Sequence, residues 1–315
     1  MNMQINEAVT LRDKVSFIRK SLFKILALNS VDGMRFYEFL IDSAQLPLVG
    51  IPLKQFVLMY YKYIHTSTVK LPLRDIEKVI ENARQVSVGP CPCRLLHDED
   101  RECDAPLYVC MRINSFSETT VEFEQKENQK PNGRGNKKSR LVSKQEAVEI
   151  MRNARQHGLV FGLESCIAPY ENNICACCSC CCIELKLRKT FGKELGPAGP
   201  YLPVVDENKC DGCEICAKQC AAGAIGLRNE KAVIATDTCY RCGICSEICP
   251  PEAISLRMQK DYRKDPPEPG LLRTFFIASC VTALYGVVYI PFLLLTKRQQ
   301  FKYPAASPRP SDWIR

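Results

Sequence analysis

The spacing of apolar and polar residues along the chain predicts a mixture of helices and strands. Near the N-terminus the apolar positions share one helical face: Leu11, Val15, Ile18, Leu22 and Ile25. Shorter helical patterns follow as far as residue 66, so we predict a helical N-terminal region over residues 1–70. No motif in this region points to a chemical function.

Two amphipathic helices in the middle of the chain each lead through a short strand toward a cysteine-rich loop. The first covers residues 73–84 and precedes a strand-like segment at 86–90. The second begins with a capping box at Ser143 and Glu146, and Gly158 is placed to end it. The strings ENARQ and RNARQ recur in the two helices. This pattern suggests an internal repeat, although two unrelated amphipathic helices would also produce it.

The rest of the pattern predicts an insertion, a linker and a membrane span. Residues 124–140 are polar and lack periodicity, as in an exposed insertion. Residues 261–273 are proline-rich and predict a stiff linker. The following 22 residues, 274–295, are uncharged and long enough for one transmembrane helix, with a buried hydrophobic helix as the alternative. Lys and Arg before this run balance those of the basic tail at 296–315, so flanking charge does not decide its orientation.

The composition places the protein among folded proteins of a reducing compartment. Apolar residues make up 46% and charged residues 25% of the chain, values that exclude a disordered chain. A content of 20 Cys without a recognisable secretory signal favours the cytoplasm. The net charge of +8 is spread over several segments, and no nucleic-acid-binding motif accompanies it. We therefore expect no nucleic-acid partner.

Residues 210–250 contain a duplicated cysteine run. CDGCEICAKQC begins at residue 210 and CYRCGICSEICP at residue 239, so the spacing C-x2-C-x2-C-x3-C recurs 29 residues later. Such runs bind two [4Fe–4S] clusters, and the fourth Cys of each run ligates the other cluster. A disulfide framework gives no reason for the duplication, and zinc favours isolated C-x2-C pairs.

This pattern assigns four thiolates to each cluster. The ligands predicted for the first cluster are Cys210, Cys213, Cys216 and Cys249. Those predicted for the second are Cys220, Cys239, Cys242 and Cys245. Residues 204–257 resemble a bacterial-type two-[4Fe–4S] ferredoxin module, except that Ala221 stands where that family usually has Pro, as at Pro250. This departure affects the expected reduction potential of the second cluster more than the prediction that the cluster is present.

Two further groups of cysteines lie upstream and exceed what core packing explains. The first group is Cys91, Cys93, Cys103 and Cys110. The second is Cys175, Cys177, Cys178, Cys180, Cys181 and Cys182. Four thiolates suffice for one more cubane, and the first group contains four. We predict metal ligands among these ten residues; a third [4Fe–4S] cluster, a structural zinc ion and a metal-free thiol centre remain alternatives.

The upstream cysteines and the duplicated run together resemble uncharacterised 4Fe–4S binding proteins of anaerobes. Those proteins combine a CxCR element, a later Cys-x6-Cys pair and a CxCCxCCC loop directly before a two-cluster ferredoxin domain. The matching elements here are residues 91–94, Cys103 with Cys110, and residues 175–182, and the resemblance covers residues 71–256. It implies a redox protein and supplies no substrate.

The predicted fold is α+β. It comprises the helical N-terminal region, a Cys-rich α/β region over residues 71–200, a ferredoxin-like module over residues 201–260 and one C-terminal transmembrane helix. The expected protein is a single-pass membrane protein whose iron–sulfur domain faces the cytoplasm, because export signals are not evident and cluster assembly is expected there.

The leading function is a membrane-anchored iron–sulfur electron carrier that exchanges electrons with redox partner proteins. It would hold two [4Fe–4S] clusters and an additional Cys-ligated site. One alternative is an oxidoreductase subunit with a catalytic cluster in the upstream region, and another is a membrane-tethered redox sensor. The sequence shows no Walker loop, dinucleotide fingerprint or Ser-His-Asp arrangement, so no catalytic residue is nominated.

Overall fold

The computed structural model describes the Cys-rich domain and the ferredoxin module. The described residues are 38, 41, 42, 45, 54, 67–97, 103–114, 116–118, 120, 121, 139–165, 172–191 and 199–259.

Several predictions fall largely or wholly outside these residues. They are the helical region at 1–70, the insertion at 124–140, the linker at 261–273, the membrane-spanning run at 274–295 and the basic tail at 296–315. Within the first of these, residues 38, 41, 42 and 54 are helical. None of the helices in the described part of the chain is long and apolar enough to cross a bilayer.

A six-stranded sheet forms the Cys-rich domain. Its elements in chain order are β1 (Ser67–Lys70), α1 (Leu73–Asn82), β2 (Val86–Pro90), α2 (Pro92–Leu96), β3 (Tyr108–Ile113), β4 (Arg140–Val142), α3 (Lys144–Gln156), β5 (Val160–Ser165), β6 (Asn172–Cys177) and α4 (Ile183–Phe191). The strand order is β1-β5-β6-β3-β2-β4, and every neighbouring pair is antiparallel. Because β1 is an edge strand of this sheet, the domain begins before residue 71.

The sheet contains the internal repeat that the two helices suggest. Each half is a β-α-β-β unit, β1-α1-β2-β3 followed by β4-α3-β5-β6. If each strand is replaced by the corresponding strand of the other unit, the same strand order results, read from the opposite edge of the sheet. A pseudo-twofold axis therefore passes through the central β3–β6 pair. Met111 and Ile174 are opposite each other in that pair. The topology therefore confirms the repeat, and it brings strands from both halves together at the centre of the sheet.

The α/β arrangement expected for residues 71–200 is wrong, because the sheet is antiparallel throughout. Each helix does join two parallel strands, as in a βαβ unit. However, three strands separate β1 from β2 in the sheet, and two of them come from the other repeat. Because the strands of the two repeats interleave, no two parallel strands are neighbours in this sheet. The domain is α+β.

Helices α1 and α3 cover one face of this sheet. They contribute Ile76, Val79, Ile80, Ala147, Met151 and Ala154 to a buried core that includes alternate residues of the strands. Ser143 Oγ accepts a hydrogen bond from the Glu146 N–H at 3.1 Å, which confirms the predicted cap of α3. Gly158 ends the helix with φ of 70°, as predicted.

Helix α4 packs on the opposite face of the sheet. Its residue Leu185 belongs to a buried cluster with Val160 of β5 and Cys177 of β6. Lys186 of α4 lies 2.9 Å from the carboxylates of both Glu38 and Asp42. These ion pairs tie α4 to the N-terminal region.

The ferredoxin module repeats its backbone conformation as well as its sequence. Its elements are β7 (Tyr201–Val205), α5 (Ile215–Lys218), β8 (Ile225–Arg228), β9 (Lys231–Ile234), α6 (Ile244–Glu247) and β10 (Ile254–Met258). Strand β7 pairs with β10 and β8 with β9, both antiparallel. Left-handed residues recur 29 positions apart: Gly212 with Arg241, Glu214 with Gly243, and Gly223 with Glu252. Because one member of each pair is not glycine, the module as a whole imposes these turns.

Polar contacts join the module to helices α1 and α3. The Tyr201 hydroxyl donates a hydrogen bond to the Asp75 carboxylate, with an oxygen–oxygen distance of 2.5 Å. Burial and this carboxylate raise the pKa of Tyr201 to about 12. Glu247 accepts a hydrogen bond from the Leu73 N–H at 2.9 Å and pairs with Arg155 at 2.9 Å. The module is therefore docked through its strand β7 and its helix α6.

The backbones of the two parts also approach each other closely at Gly199. A Cβ atom at this position would lie 2.2 Å from the carbonyl oxygen of Lys70 and 2.8 Å from that of Arg241. Both neighbours are backbone atoms that cannot rotate away. Only glycine fits at this junction.

We predict that Tyr201→Phe lowers the free energy of unfolding by about 1–3 kcal/mol, because it leaves the buried Asp75 carboxylate without its hydroxyl donor. Anaerobic denaturant unfolding followed by circular dichroism measures this change. The matched control is Tyr108→Phe, since Tyr108 is 37% exposed on β3, and its effect should stay within about 0.5 kcal/mol. Equal effects of the two substitutions would contradict a stabilising Tyr201–Asp75 contact.

Candidate metal centres

The first predicted set of ferredoxin cysteines lines a single cavity. Cys210 and Cys213 approach it from the loop before α5, Cys216 from α5 itself, and Cys249 from the segment after α6. Apolar side chains such as Leu227 complete the wall of this cavity. The structure thus brings together four thiols that are separated by up to 39 positions in the sequence.

The second predicted set lines a second cavity. Cys239, Cys242 and Cys245 enter it from the second run, and Cys220 enters from the end of the first. The exchange of the fourth cysteine between the runs is therefore present in the folded chain.

The two cavities differ where the sequence departs from the ferredoxin pattern. Ala221 and Ala222 line the second cavity. The residues 29 positions later, Pro250 and Pro251, line the first. The backbone turns are alike in both halves, so the substitution removes ring atoms from the wall without changing the approach of the thiols. The surroundings of a cluster help to set its reduction potential, so this difference bears on the potential of the second centre.

Backbone N–H groups donate hydrogen bonds to several of these sulfurs at 3.3–3.5 Å. The pairs are Cys210 with Ala232, Cys220 with Ala224, Cys239 with Arg241, and Cys249 with Ala253. The second and fourth pairs are related by the 29-residue repeat. Such N–H donors stabilise negative charge on sulfur and raise the potential of a bound cluster. Thiol donors, apolar walls and aligned N–H groups all fit a [4Fe–4S] cluster in each cavity.

Burial favours the protonated form of three cysteines that line the second cavity. It raises the pKa of the Cys242 thiol to about 11, and it also raises the pKa values of Cys239 and Cys245. Since only thiolates ligate iron, assembly of the second centre must release protons.

Four of the upstream cysteines meet at one point, which we name the four-thiolate site. The Sγ atoms of Cys103, Cys178, Cys180 and Cys181 all lie within 4.8 Å of one another. Cys103 is 3.8 Å from Cys178, and Cys180 is 3.6 Å from Cys181. Hydrogen bonds from Cys103 and Cys180 hold the pKa of Cys178 well below its usual range.

Six other upstream cysteines, all within the described part of the chain, form a connected set, which we name the thiol row. Its members are Cys91, Cys93, Cys182, Cys177, Cys175 and Cys110, in order of contact. Ligand atoms of Cys177, Cys182 and Glu184 lie within 4.8 Å of one another, so this part of the row is a second group capable of holding a metal. The hydrogen bond with Cys175, assisted by the charge of Arg112, lowers the pKa of Cys110 to about 6.

The two groups seen in the sequence are therefore not the two groups formed in space. Cys103 joins the later cysteines, while Cys91, Cys93 and Cys110 join the thiol row. The reason is strand alternation: Ile174 and Ala176 of β6 point into the helix-covered core, so Cys175 and Cys177 point to the other face.

A buried arginine lies between the two groups. Arg94 is 0% exposed and donates hydrogen bonds to the carbonyl oxygens of Pro106 at 2.9 Å and Ala176 at 3.0 Å. Burial alone would lower its pKa, but negative charge on Cys178 and Cys91 outweighs burial and raises it. A buried cation of this kind requires nearby negative charge, which ionised or metal-bound thiolates provide.

A buried lysine places a second positive charge beside the thiol row. Lys70 Nζ lies 2.7 Å from Glu184 Oε2. Burial opposes its charge, but Glu184 and the thiolates of Cys177 and Cys182 raise its pKa. Burial and repulsion from Glu184 raise the pKa of the nearby Glu164 to about 8. Glu164 is therefore mostly protonated near neutral pH.

Sequence reasoning missed these charged residues as parts of the site. Arg94 stands directly after Cys93, so its place in the CxCR element was the available signal. Lys70 ends a strand and is followed by the apolar Leu71, and no local pattern distinguishes it from a solvated lysine. Tyr240, which packs with Cys177 and Cys182, was equally unmarked.

The comparisons with known proteins agree with the ferredoxin part of the site. Residues 202–250 match the model of a family described as a 4Fe-4S dicluster domain. No curated protein matches the chain. The matched segment ends at the second cysteine run and excludes the Cys-rich domain. This part of the chain is thus similar to iron–sulfur domains that hold two [4Fe–4S] clusters.

Proposed function

We propose that this protein is an iron–sulfur electron carrier with one [4Fe–4S] cluster in each ferredoxin cavity. The observation that supports the proposal most is the pair of four-cysteine cavities with exchanged fourth ligands. When bound, the clusters supply one-electron redox chemistry. The chain holds the thiolates, aligns N–H donors on the sulfurs and lines both cavities with apolar groups.

The surroundings of the two cavities favour a direction through the module. Tyr240 and Cys242 of the second cavity pack in one buried cluster with Cys177 and Cys182 of the thiol row. In contrast, Cys213 of the first cavity is exposed. We infer that the second cavity exchanges electrons with the Cys-rich domain and the first with an external redox partner protein.

The exposed edge of the first cavity has the composition of a transient docking site. Ile215 is 38% and Leu227 41% exposed beside it, and Val233 is exposed nearby. Large apolar side chains at a protein surface commonly mark interaction sites. Their position next to Cys213 supports transfer to a partner at this edge.

The exchanged ligand assignment predicts opposite outcomes for two double variants. Cys220→Ser with Cys242→Ser removes two ligands from one cavity, so reconstituted protein should retain about four iron atoms. Cys220→Ser with Cys213→Ser removes one ligand from each cavity, so both clusters should be lost or altered. Anaerobic iron analysis and EPR measure the result. If Cys220 belonged with Cys213, the two variants would exchange their iron contents.

A second candidate function is an oxidoreductase subunit whose reactive centre is the thiol row. The observation that favours it is the contact of this row with the second cavity through Tyr240. A carrier only passes electrons through such a group, whereas an enzyme converts a substrate there. A change in the EPR or visible spectrum on adding a disulfide or thiol substrate would support the enzyme, and unchanged spectra would favour the carrier.

We further propose that residues 274–295 anchor the protein in the cytoplasmic membrane. The support is the uncharged run of 22 residues, which is long enough to span the hydrocarbon core. The iron–sulfur domain would then face the cytoplasm, where clusters are assembled.

Truncation tests the anchor. Removal of residues 274–315 should shift the protein from the membrane fraction to the supernatant after carbonate extraction, because the apolar run is lost. Removal of residues 296–315 alone is the matched control and should leave it in the membrane. An unchanged distribution of the longer truncation would contradict the anchor and leave the electron-carrier proposal unaffected.

A further inference from the structure

We propose that the four-thiolate site binds one zinc ion, independently of the two ferredoxin clusters. Its ligands are Cys103, Cys178, Cys180 and Cys181. A tetrahedral zinc ion with Zn–S bonds of about 2.3 Å places its sulfurs about 3.8 Å apart. The distances of 3.8 Å between Cys103 and Cys178 and 3.6 Å between Cys180 and Cys181 match this spacing.

The same spacing is too short for a cubane. Each thiolate of a [4Fe–4S] cluster binds a different iron atom, so its four sulfurs lie farther apart than four sulfurs around one ion. The ferredoxin cysteines provide an internal comparison. Among the described residues, the groups with ligand atoms within 4.8 Å of one another come from the Cys-rich domain, and none includes a ferredoxin cysteine. The chain therefore spaces its cysteines in two ways, one suited to a cluster and one to a single ion.

The location of the site is that of a structural ion. Cys103 and Cys181 are 8% and 6% exposed, and Cys178 and Cys180 pack against the same hydrophobic core. The ion would join the loop before β3 to the turn after β6, which are 75 residues apart in the sequence. Closing so long a loop restricts the unfolded chain and stabilises the folded one.

Electrostatics around the site agree with a four-thiolate ion. One Zn²⁺ with four thiolates carries a net charge of −2, and the buried guanidinium of Arg94 compensates part of it. Zinc has no redox chemistry in proteins. The ion would therefore take no part in electron transfer.

The ion also acts on the thiol row through the chain itself. Cys178 and Cys181 directly adjoin Cys177 and Cys182 of the row. Fixing the first pair on zinc holds the second pair on the opposite side of the turn, facing Tyr240.

Metal analysis of anaerobically purified, reconstituted protein tests the proposal. The wild-type chain should contain about one zinc atom. Cys103→Ser should lose it while the iron content and EPR signals of the ferredoxin clusters persist. Cys110→Ser is the matched control, because it removes a buried thiol of the same domain from the row, and it should retain zinc. Loss of about four iron atoms or of one iron atom in Cys103→Ser, or absence of zinc from the wild type, would overturn the proposal.

A measurement on the unmodified protein covers the case in which Cys103→Ser does not fold. Zinc K-edge EXAFS should show four sulfur neighbours at about 2.3 Å and no metal neighbour. Nitrogen or oxygen ligands, or a nearby iron atom, would refute the four-thiolate site. Neither result bears on the iron count of the ferredoxin cavities, so the two proposals fail separately.

Discussion

Negative charge on buried sulfur has to be compensated, and much of this structure follows from that requirement. Arg94 lies between the four-thiolate site and the thiol row, and Lys70 lies between the row and Glu184. An unpaired buried charge is costly, so these cations need the negative charge of the Glu184 carboxylate and of thiolates or bound metal around them. In the ferredoxin module, backbone N–H groups take over this role. Side-chain cations and backbone dipoles are thus two solutions to one electrostatic problem.

Local repetition made part of this arrangement predictable. The 29-residue repeat of the cysteine run predicted which four cysteines line each cavity, because the ligands of ferredoxin clusters follow a fixed sequence spacing. The helix α3 was predictable from Ser143 and Gly158 because capping depends on neighbouring residues. The partition of the upstream cysteines was not predictable. It depends on the pairing of β3 with β6 and on the loop that carries Cys103, which are long-range features. Arg94 and Lys70 were missed because burial, rather than residue type, gives them their role.

Both halves of the described chain are built from repeats, and their chemistry lies where the repeats diverge. In the sheet, the central pair places Cys110 of one half beside Cys175 of the other. The ferredoxin halves share their turns but differ at Ala221 and Pro250. In both parts the two repeats share a backbone conformation. Differences in side chains between the repeats then distinguish one centre from the other. Of the two ferredoxin cavities, the second one faces the thiol row.

The glycine at the junction of the two parts bears on how electrons travel. Because the Lys70 and Arg241 carbonyl groups close around Gly199, the ferredoxin module cannot swing on a hinge there without breaking buried contacts. The separation between the thiol row and the inner cavity is therefore a constant of the fold. If electrons cross this junction as we propose, they tunnel over a fixed distance. The transfer rate should then not vary with solvent viscosity, as it does when a tethered domain must diffuse to its acceptor.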